Sequence, residues 1–196
     1  TNFMYGEMTS SQIARLSEDE KANVVRANSV KLMDELNTIE NRSAATMSQI
    51  TYVMNQYASS AQLAGDSTQF MAAMSATLIE AGEEQGKAGR ALRMMYARLG
   101  ANTGESVELL AKHGIAVKDD NDQLRSMEDI LGDVSRSAIM NNKAEKMRVA
   151  QAIAGNDHYV RAIKLMDNYD RAMELSTQAT QRLDTAQEEL NRRYED

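Results

Sequence analysis

The chain has 196 residues with 22 basic and 29 acidic side chains, a net charge of −7, no proline, no cysteine and no tryptophan, but 14 methionines. Without cysteine there is no disulfide, thiolate metal site or cysteine nucleophile, and the compartment stays open. The acidic excess is spread along the chain, so no basic face stands ready to displace counterions from duplex DNA. No run approaches the roughly 20 apolar residues of a membrane-spanning helix.

Good helix formers dominate and proline never interrupts them, so the fold class is all-α. Aromatics make up only 5% of residues and the only phenylalanines are Phe3 and Phe70. Core positions therefore fall to Ala, Leu, Ile and Met, which pack adaptably but specify geometry weakly. The start, Thr1-Asn2-Phe3-Met4, lacks an initiator methionine and a basic-then-apolar leader, and reads as an internal piece of a longer chain.

A single long helix is expected over residues 11–64. Steps of four and three from Val25 trace a stripe through Ser29, Leu32, Leu36, Ile39, Ser43, Thr46, Ile50, Val53, Tyr57, Ser60 and Ala64. A second row, Met33, Met47 and Met54, widens it. The Ser and Thr in the seam argue against a tight two-stranded zipper; packing along a bundle or the core helix of a compact domain both fit.

Gly65 is the expected left-handed stop, and Ser67 can accept from the freed amides of the next helix. That helix presents Phe70, Met71, Met74, Leu78 and Ile79 on one face and ends at Gly82. A third, over 83–99, points Ala88, Ala91, Leu92, Met95 and Leu99 inward, with Gly100 closing it. Gly86 and Gly89 on its first turns are expected to admit another helix closely.

A short helix over 105–113, opened by Thr103 or Gly104, stops at Gly114, and Ile115 supplies the apolar contact of a Schellman-type cap. Residues 117–125 form a polar, acidic turn, which also admits a short two-stranded hairpin near 116–125. Ser126 with Asp129 opens a helix over 127–140, and Asn142 with Glu145 opens one over 143–154, ended by Gly155.

The last helix, over 157–194, has the seam Val160, Ile163, Met166, Tyr169, Met173, Leu183, Ala186 and Leu190. It would reach about 57 Å at ~1.5 Å per residue, against roughly 30–40 Å for a compact domain of this size. The expected organisation is an N-terminal long helix (1–64), a compact helical core (65–155) and a C-terminal long helix (156–196). The two end helices are expected to project as rods, packed antiparallel on each other or on other copies.

No local pattern supplies catalysis. An EF-hand loop begun at Asp119 needs Gly sixth and Glu twelfth, where Leu124 and Ile130 stand. His113 and His158 sit at helix ends with no grouped nucleophile and orienting acid. Lys87, Arg90, Arg93 and Arg98 read as the wet face of their helix, with a phosphate site as the competing reading. No metal or cofactor is assigned. The residues singled out are glycines in capping or packing positions: Gly65, Gly82, Gly86, Gly89, Gly100, Gly114 and Gly155.

The series from residue 75 to 166 has a definite order: "AGRALRMMYARL" (88–99), "SVELLAKHGI" (106–115), the acidic turn, "LRSMEDILGDV" (124–134) and "AQAIAGNDHYVRAIKLM" (150–166). It resembles the core region of phage tail tape measure proteins. The shared elements are Gly89-Arg90-Ala91-Leu92-Arg93, residues 110–115, the acids of 119–122, Asp129-Ile130-Leu131 and Ile153-Ala154-Gly155, over just under half the chain. Two positions depart from the family pattern. Asp120-Asn121-Asp122-Gln123 stands where Gly usually follows Asp, making Asn121 the expected left-handed residue. Gly100-Ala101-Asn102-Thr103 stands where a proline is common.

The resemblance implies a fragment of a long, non-enzymatic helical protein in the tail tube lumen and tail tip, which sets tail length and leaves to aid genome ejection. It implies a homo-oligomer (trimer or hexamer), contacts with the tail tube protein and tail-tip or baseplate hub proteins, and no specific nucleic-acid binding. Tail assembly chaperones, and the host membrane for the full-length protein, are further candidate partners. Location would be the virion tail, with host cytoplasm during assembly. The alternative reading is a helical adaptor or secretion-apparatus component with no ruler role, which the neighbouring genes would discriminate.

Overall fold

Helix boundaries follow local capping chemistry. The structure is a computed structural model that describes residues 8, 10–101 and 104–195, with the side chains of residues 105 and 183–195 excepted. Among the described residues the fold is all-α. In chain order the helices are α1 (Ser10–Ala14), α2 (Glu18–Glu40), α3 (Met47–Asn55), α4 (Ala58–Leu63), α5 (Thr68–Glu80) and α6 (Gln85–Gly100). They continue with α7 (Gly104–Ala111), α8 (Met127–Arg136), α9 (Lys143–Ala154), α10 (Tyr159–Asp167) and α11 (Tyr169–Glu195), and a 3-10 turn, Ala138–Asn141, joins α8 to α9.

The single helix expected over 11–64 is divided into α1 to α4. Thr46, read as a seam residue, is instead an N-cap: its side chain accepts from the Gln49 amide at 3.3 Å, and the Gln49 side chain returns the bond. Its backbone is extended, with ψ 153°, so no helix can run through it. Ser17 and Glu20 make the same reciprocal cap at the start of α2.

The stripe outlives the breaks. Leu36, Ile39, Ile50, Val53, Tyr57 and Ala64 are all buried, because α3 and α4 fold back and present the same face to the core. They are covered by the chain itself, which corrects the expectation of a projecting rod for this stretch. Met33, expected in the widened stripe, is instead 60% exposed.

Helix α5 is the centre. Every residue from Phe70 to Leu78 is buried, where one apolar face was expected, and α2, α3, α6, α10 and α11 all pack on it. Ala72, Ala73 and Ala76 fill the remaining faces with side chains short enough to let those helices close in. In α6 the inward set Ala88, Ala91, Leu92, Met95 and Leu99 is buried, joined by Tyr96. One hydrophobic core runs from Leu36 to Ala179, across the boundaries expected at 64/65 and 155/156.

Asn168 divides the helix expected over 157–194, its side-chain amide donating to the Lys164 carbonyl at 2.8 Å. Of that seam, Met166 and Tyr169 are buried and Ile163 and Met173 half-buried, whereas Val160 is exposed. Leu183, Ala186 and Leu190 lie outside the described side chains, and Thr1 to Met4, Asn102 and Thr103 outside the described residues. Helix α8 stops at Arg136 rather than 140, because Ser137 turns extended (ψ 165°) and caps the 3-10 turn through the Ile139 amide. The segment near 116–125 forms no strand; Lys118 and Leu124 make one isolated antiparallel bridge.

Candidate functional site

The glycine-punctuated block is held by a buried polar joint. After α4 the chain reverses at Gly65 (φ +82°), where an L side chain would be strained, and this places Asp66 under the start of α8. Asp66 Oδ2 accepts from the Tyr96 hydroxyl at 2.7 Å and the Met127 amide at 2.9 Å, and Oδ1 accepts from the Glu128 amide at 3.0 Å. The carboxylate thus satisfies orphan donors of α8 from a distant part of the chain, while Ser126 caps the Asp129 amide locally. Burial pushes the Asp66 carboxyl above its ordinary range, opposed by the Tyr96 and amide hydrogen bonds.

Tyr96 stacks on Tyr57, with ring centroids 5.7 Å apart. The Tyr57 hydroxyl donates to the Met71 carbonyl at 2.6 Å and lies 3.0 Å from Ser75 Oγ. Burial pushes both hydroxyls well above the usual tyrosine range. The Tyr169 hydroxyl donates to the Glu128 carbonyl at 3.0 Å, with burial and the nearby Glu128 taking it up to about 12. These polar atoms are spent on one another, joining α4, α5, α6, α8 and α11.

Ion pairs tie the periphery. Glu83, just past Gly82, accepts from Arg161 Nε at 2.7 Å and from Lys164 Nζ. Burial raises that carboxyl, but Lys164 and Arg161 outweigh it and hold it below its ordinary value. Arg171 of α11 pairs with Glu80 of α5 and donates to the Arg42 carbonyl, and Glu80 also accepts from the Ala44 amide. His113 Nε2 lies 3.0 Å from Glu145. His158 Nδ1 is buried with no hydrogen-bond partner among the described residues, and burial, with Arg161 and Arg90, lowers its pKa.

The expected glycines divide by role. Gly65, Gly82, Gly114 and Gly155 have positive φ just past α4, α5, α7 and α9. At Gly114 the Ile115 amide donates back to the Leu110 carbonyl at 3.0 Å and Ile115 is buried. Gly100 is the last residue of α6 rather than a stop beyond it; Ala101 is the cap. A Cβ at Gly89 would meet the side chain of Gln56, at the end of α3, at 2.5 Å. One at Gly86 would meet Glu84 Oε1, the cap of its own helix, at 3.0 Å, so the close neighbour there is not the second helix that was expected.

In the acidic turn Asp119 Oδ1 accepts from the amides of Asn121 and Gln123, both at 2.9 Å, and Lys118 pairs with Asp122. The left-handed residue is Asp122 (φ 61°), not Asn121, because the Asp119 cap fixes where the chain must reverse. Among the described residues, no group of three or more His, Cys, Asp or Glu side chains is placed to hold a metal.

The basic stretch of α6 splits. Lys87, Arg90 and Arg93 are exposed, but Arg98 is half-buried and its Nε donates to the Ala152 carbonyl at 2.8 Å, a bond from α6 to α9. Two residues were not singled out from the sequence. Asp66 offered only the signal of an acid after a glycine stop. Gly132, whose added Cβ would meet the Tyr169 hydroxyl at 2.8 Å, was visible as an isolated glycine inside a helical pattern.

Among the described residues no helix is long and apolar enough to cross a membrane. A family model described as phage-related minor tail protein matches residues 7–155, well over half the chain. No solved structure matches it.

Proposed function

This chain belongs to the phage-related minor tail protein family, and from that membership we propose that it is a folded piece of a tail tape measure protein. Membership makes it a structural component of a phage tail. The finer reading rests on one observation: the ordered series that resembles the tape measure core falls on element boundaries. Gly114-Ile115 closes α7, Ser126 opens α8 and Gly155 closes α9, so the motifs are joints of a fold rather than scattered likenesses.

In this reading the parent is a multi-copy helical protein in the tube lumen. Extended helix elsewhere in the parent converts residue count to distance at ~1.5 Å per residue, and tube protein polymerises around it. The present piece folds back on itself, which suits an anchor better than a measuring rod. Residues 65–155 form its anchoring block, facing tail-tip or baseplate hub proteins where three or six copies meet. Tail assembly chaperones would hold it before the tube closes. The net charge of −7 suits a lumen that DNA later crosses, since like charges do not adhere. The role is assembly and release rather than catalysis.

Removing whole helical turns from the parent gene outside this folded piece tests the ruler. Tails measured by electron microscopy should shorten by about 1.5 Å per deleted residue. Unchanged length would remove that role from the deleted segment. For the anchor, cross-linking of the isolated chain with hub proteins should trap a complex, and failure to do so with every hub component would count against it.

A further inference from the structure

We propose that the exposed face of α6 receives the acidic turn, residues 118–124, of a neighbouring copy of this chain. Each chain then gives α6 to one neighbour and its turn to another, closing a ring. The inference rests on the multi-copy part of the reading above and is separable from the ruler role.

Helix α6 contains no acid, in a chain that has 29. Its inner side is used by the core, through Ala88, Leu92, Met95, Tyr96 and Leu99. Its outer side carries Lys87, Arg90, Arg93, Met94 and Ala97 at helical spacing, all exposed, over about 15 Å of axis. Lys87, Arg90 and Arg93 make no ion pair among the described residues. Glu84, just before the helix, turns its carboxylate onto the Gly86 and Lys87 amides at 2.7 and 3.1 Å. A wet helix face normally mixes signs, because like charges three or four residues apart repel. Three unrelieved cations beside Met94, which is 40% exposed, suit an interface with an acidic partner, since Arg and Met are both enriched at interfaces.

Another copy supplies that partner. The turn sets Asp119, Asp120 and Asp122 against one cation, Lys118, and Asp120 makes neither an ion pair nor a side-chain hydrogen bond among the described residues. It is closed by two backbone bonds, from the Asp119 amide to the Gln123 carbonyl and from the Arg125 amide to the Val117 carbonyl, both at 2.9 Å, so docking has little left to order. Within one copy no ion pair joins the two surfaces. Leu124 fixes the turn at the C-terminal end of α6, 3.7 Å from where a Cβ on Gly100 would stand. The match is therefore between copies. A two-fold axis through the α6 face would set cation on cation. A head-to-tail contact sets α6 on the turn instead and, repeated around an axis, closes a ring of three or six.

Sedimentation of the chain at about 0.1 M salt, where the screening length is about 10 Å, tests the charges. Arg93→Glu and Asp120→Lys should each weaken self-association about tenfold with helical circular dichroism unchanged, and both together in one chain should restore it. The chain has no cysteine of its own, so a second arm reads the geometry. Copies carrying Ala97→Cys, mixed with copies carrying Asn121→Cys, should be joined by a short bismaleimide. Neither variant alone should be, because α6 faces a turn and not another α6.

A trimer or hexamer indifferent to both reversals overturns this contact while keeping the multi-copy reading. A monomer at every concentration overturns the contact and leaves the ruler to the tail-length test. Reversals that fail to rescue one another, or a cross-link within either single variant, overturn the pairing of α6 with the turn.

Discussion

Helix α5 has 13 residues and buries nine in succession; α2 has 23 and buries four, all near its C-terminal end. Both carry apolar residues at helical spacing, so amphipathic pattern alone does not separate them. What does is the size of the residues between. In α5 the other faces hold Ala72, Ala73 and Ala76, which let helices approach from every side. In α2 those positions hold Arg26, Lys31, Asp34 and Asn37, which stay in water. One helix organises the fold, and the other is attached to it at one end with a side to spare.

Substitutions can break or sharpen that contrast. The largest effect belongs to Phe70→Ala in α5, where a fully buried ring set edge-on to Tyr169 is lost; urea unfolding should show a loss of ~3–5 kcal/mol. A loss under 1 kcal/mol would mean that α5 is not the hub. Gly132→Ala comes next, because a methyl at 2.8 Å from the Tyr169 hydroxyl forces a stiff ring to move. It should cost about 2 kcal/mol, and adding Tyr169→Phe should recover part of it.

The third change probes the one charged group that α2 buries. Glu35 is 2% exposed, accepts from Gln69 Nε2 at 2.7 Å, and has Lys31 only at 4.0 Å. Burial takes its carboxyl from 4.5 up to about 7, opposed by Lys31 and assisted by Asp34. The folded protein holds this proton more tightly than the unfolded chain, so the contribution of Glu35 to stability is fully present below about pH 4.5 and is lost as pH rises through about 7. Glu35→Gln should therefore stabilise by ~1–2 kcal/mol at pH 8 and change little at pH 4, compared by urea melts at both. Equal effects at both pH values would refute a buried, proton-binding Glu35. The smallest effect is Met33→Ala, within ~0.5 kcal/mol of the parent in the same assay, because that side chain is already 60% exposed.

Much of the fold was legible because its signals are short-range. The boundaries of α9 follow from Asn142, whose side chain accepts from the Ala144 and Glu145 amides, and from Gly155. The inward face of α6 and the close of α7 were equally readable. The break between α2 and α3 hid in plain view: Thr46 with Gln49 is a capping box, but Thr46 also fits the seam, and a weak apolar period cannot say which role wins.

The sequence by itself determined the helical class, most caps and most inward residues, because each depends on groups within about one turn of one another. Only the tertiary structure decided that Asp66 would cap α8 from some sixty residues away, that Tyr169 would leave no room beside Gly132, and that α5 would be enclosed. Those outcomes depend on which helices meet, and in a chain packed mainly by Ala, Leu, Ile and Met the side chains alone leave that choice open.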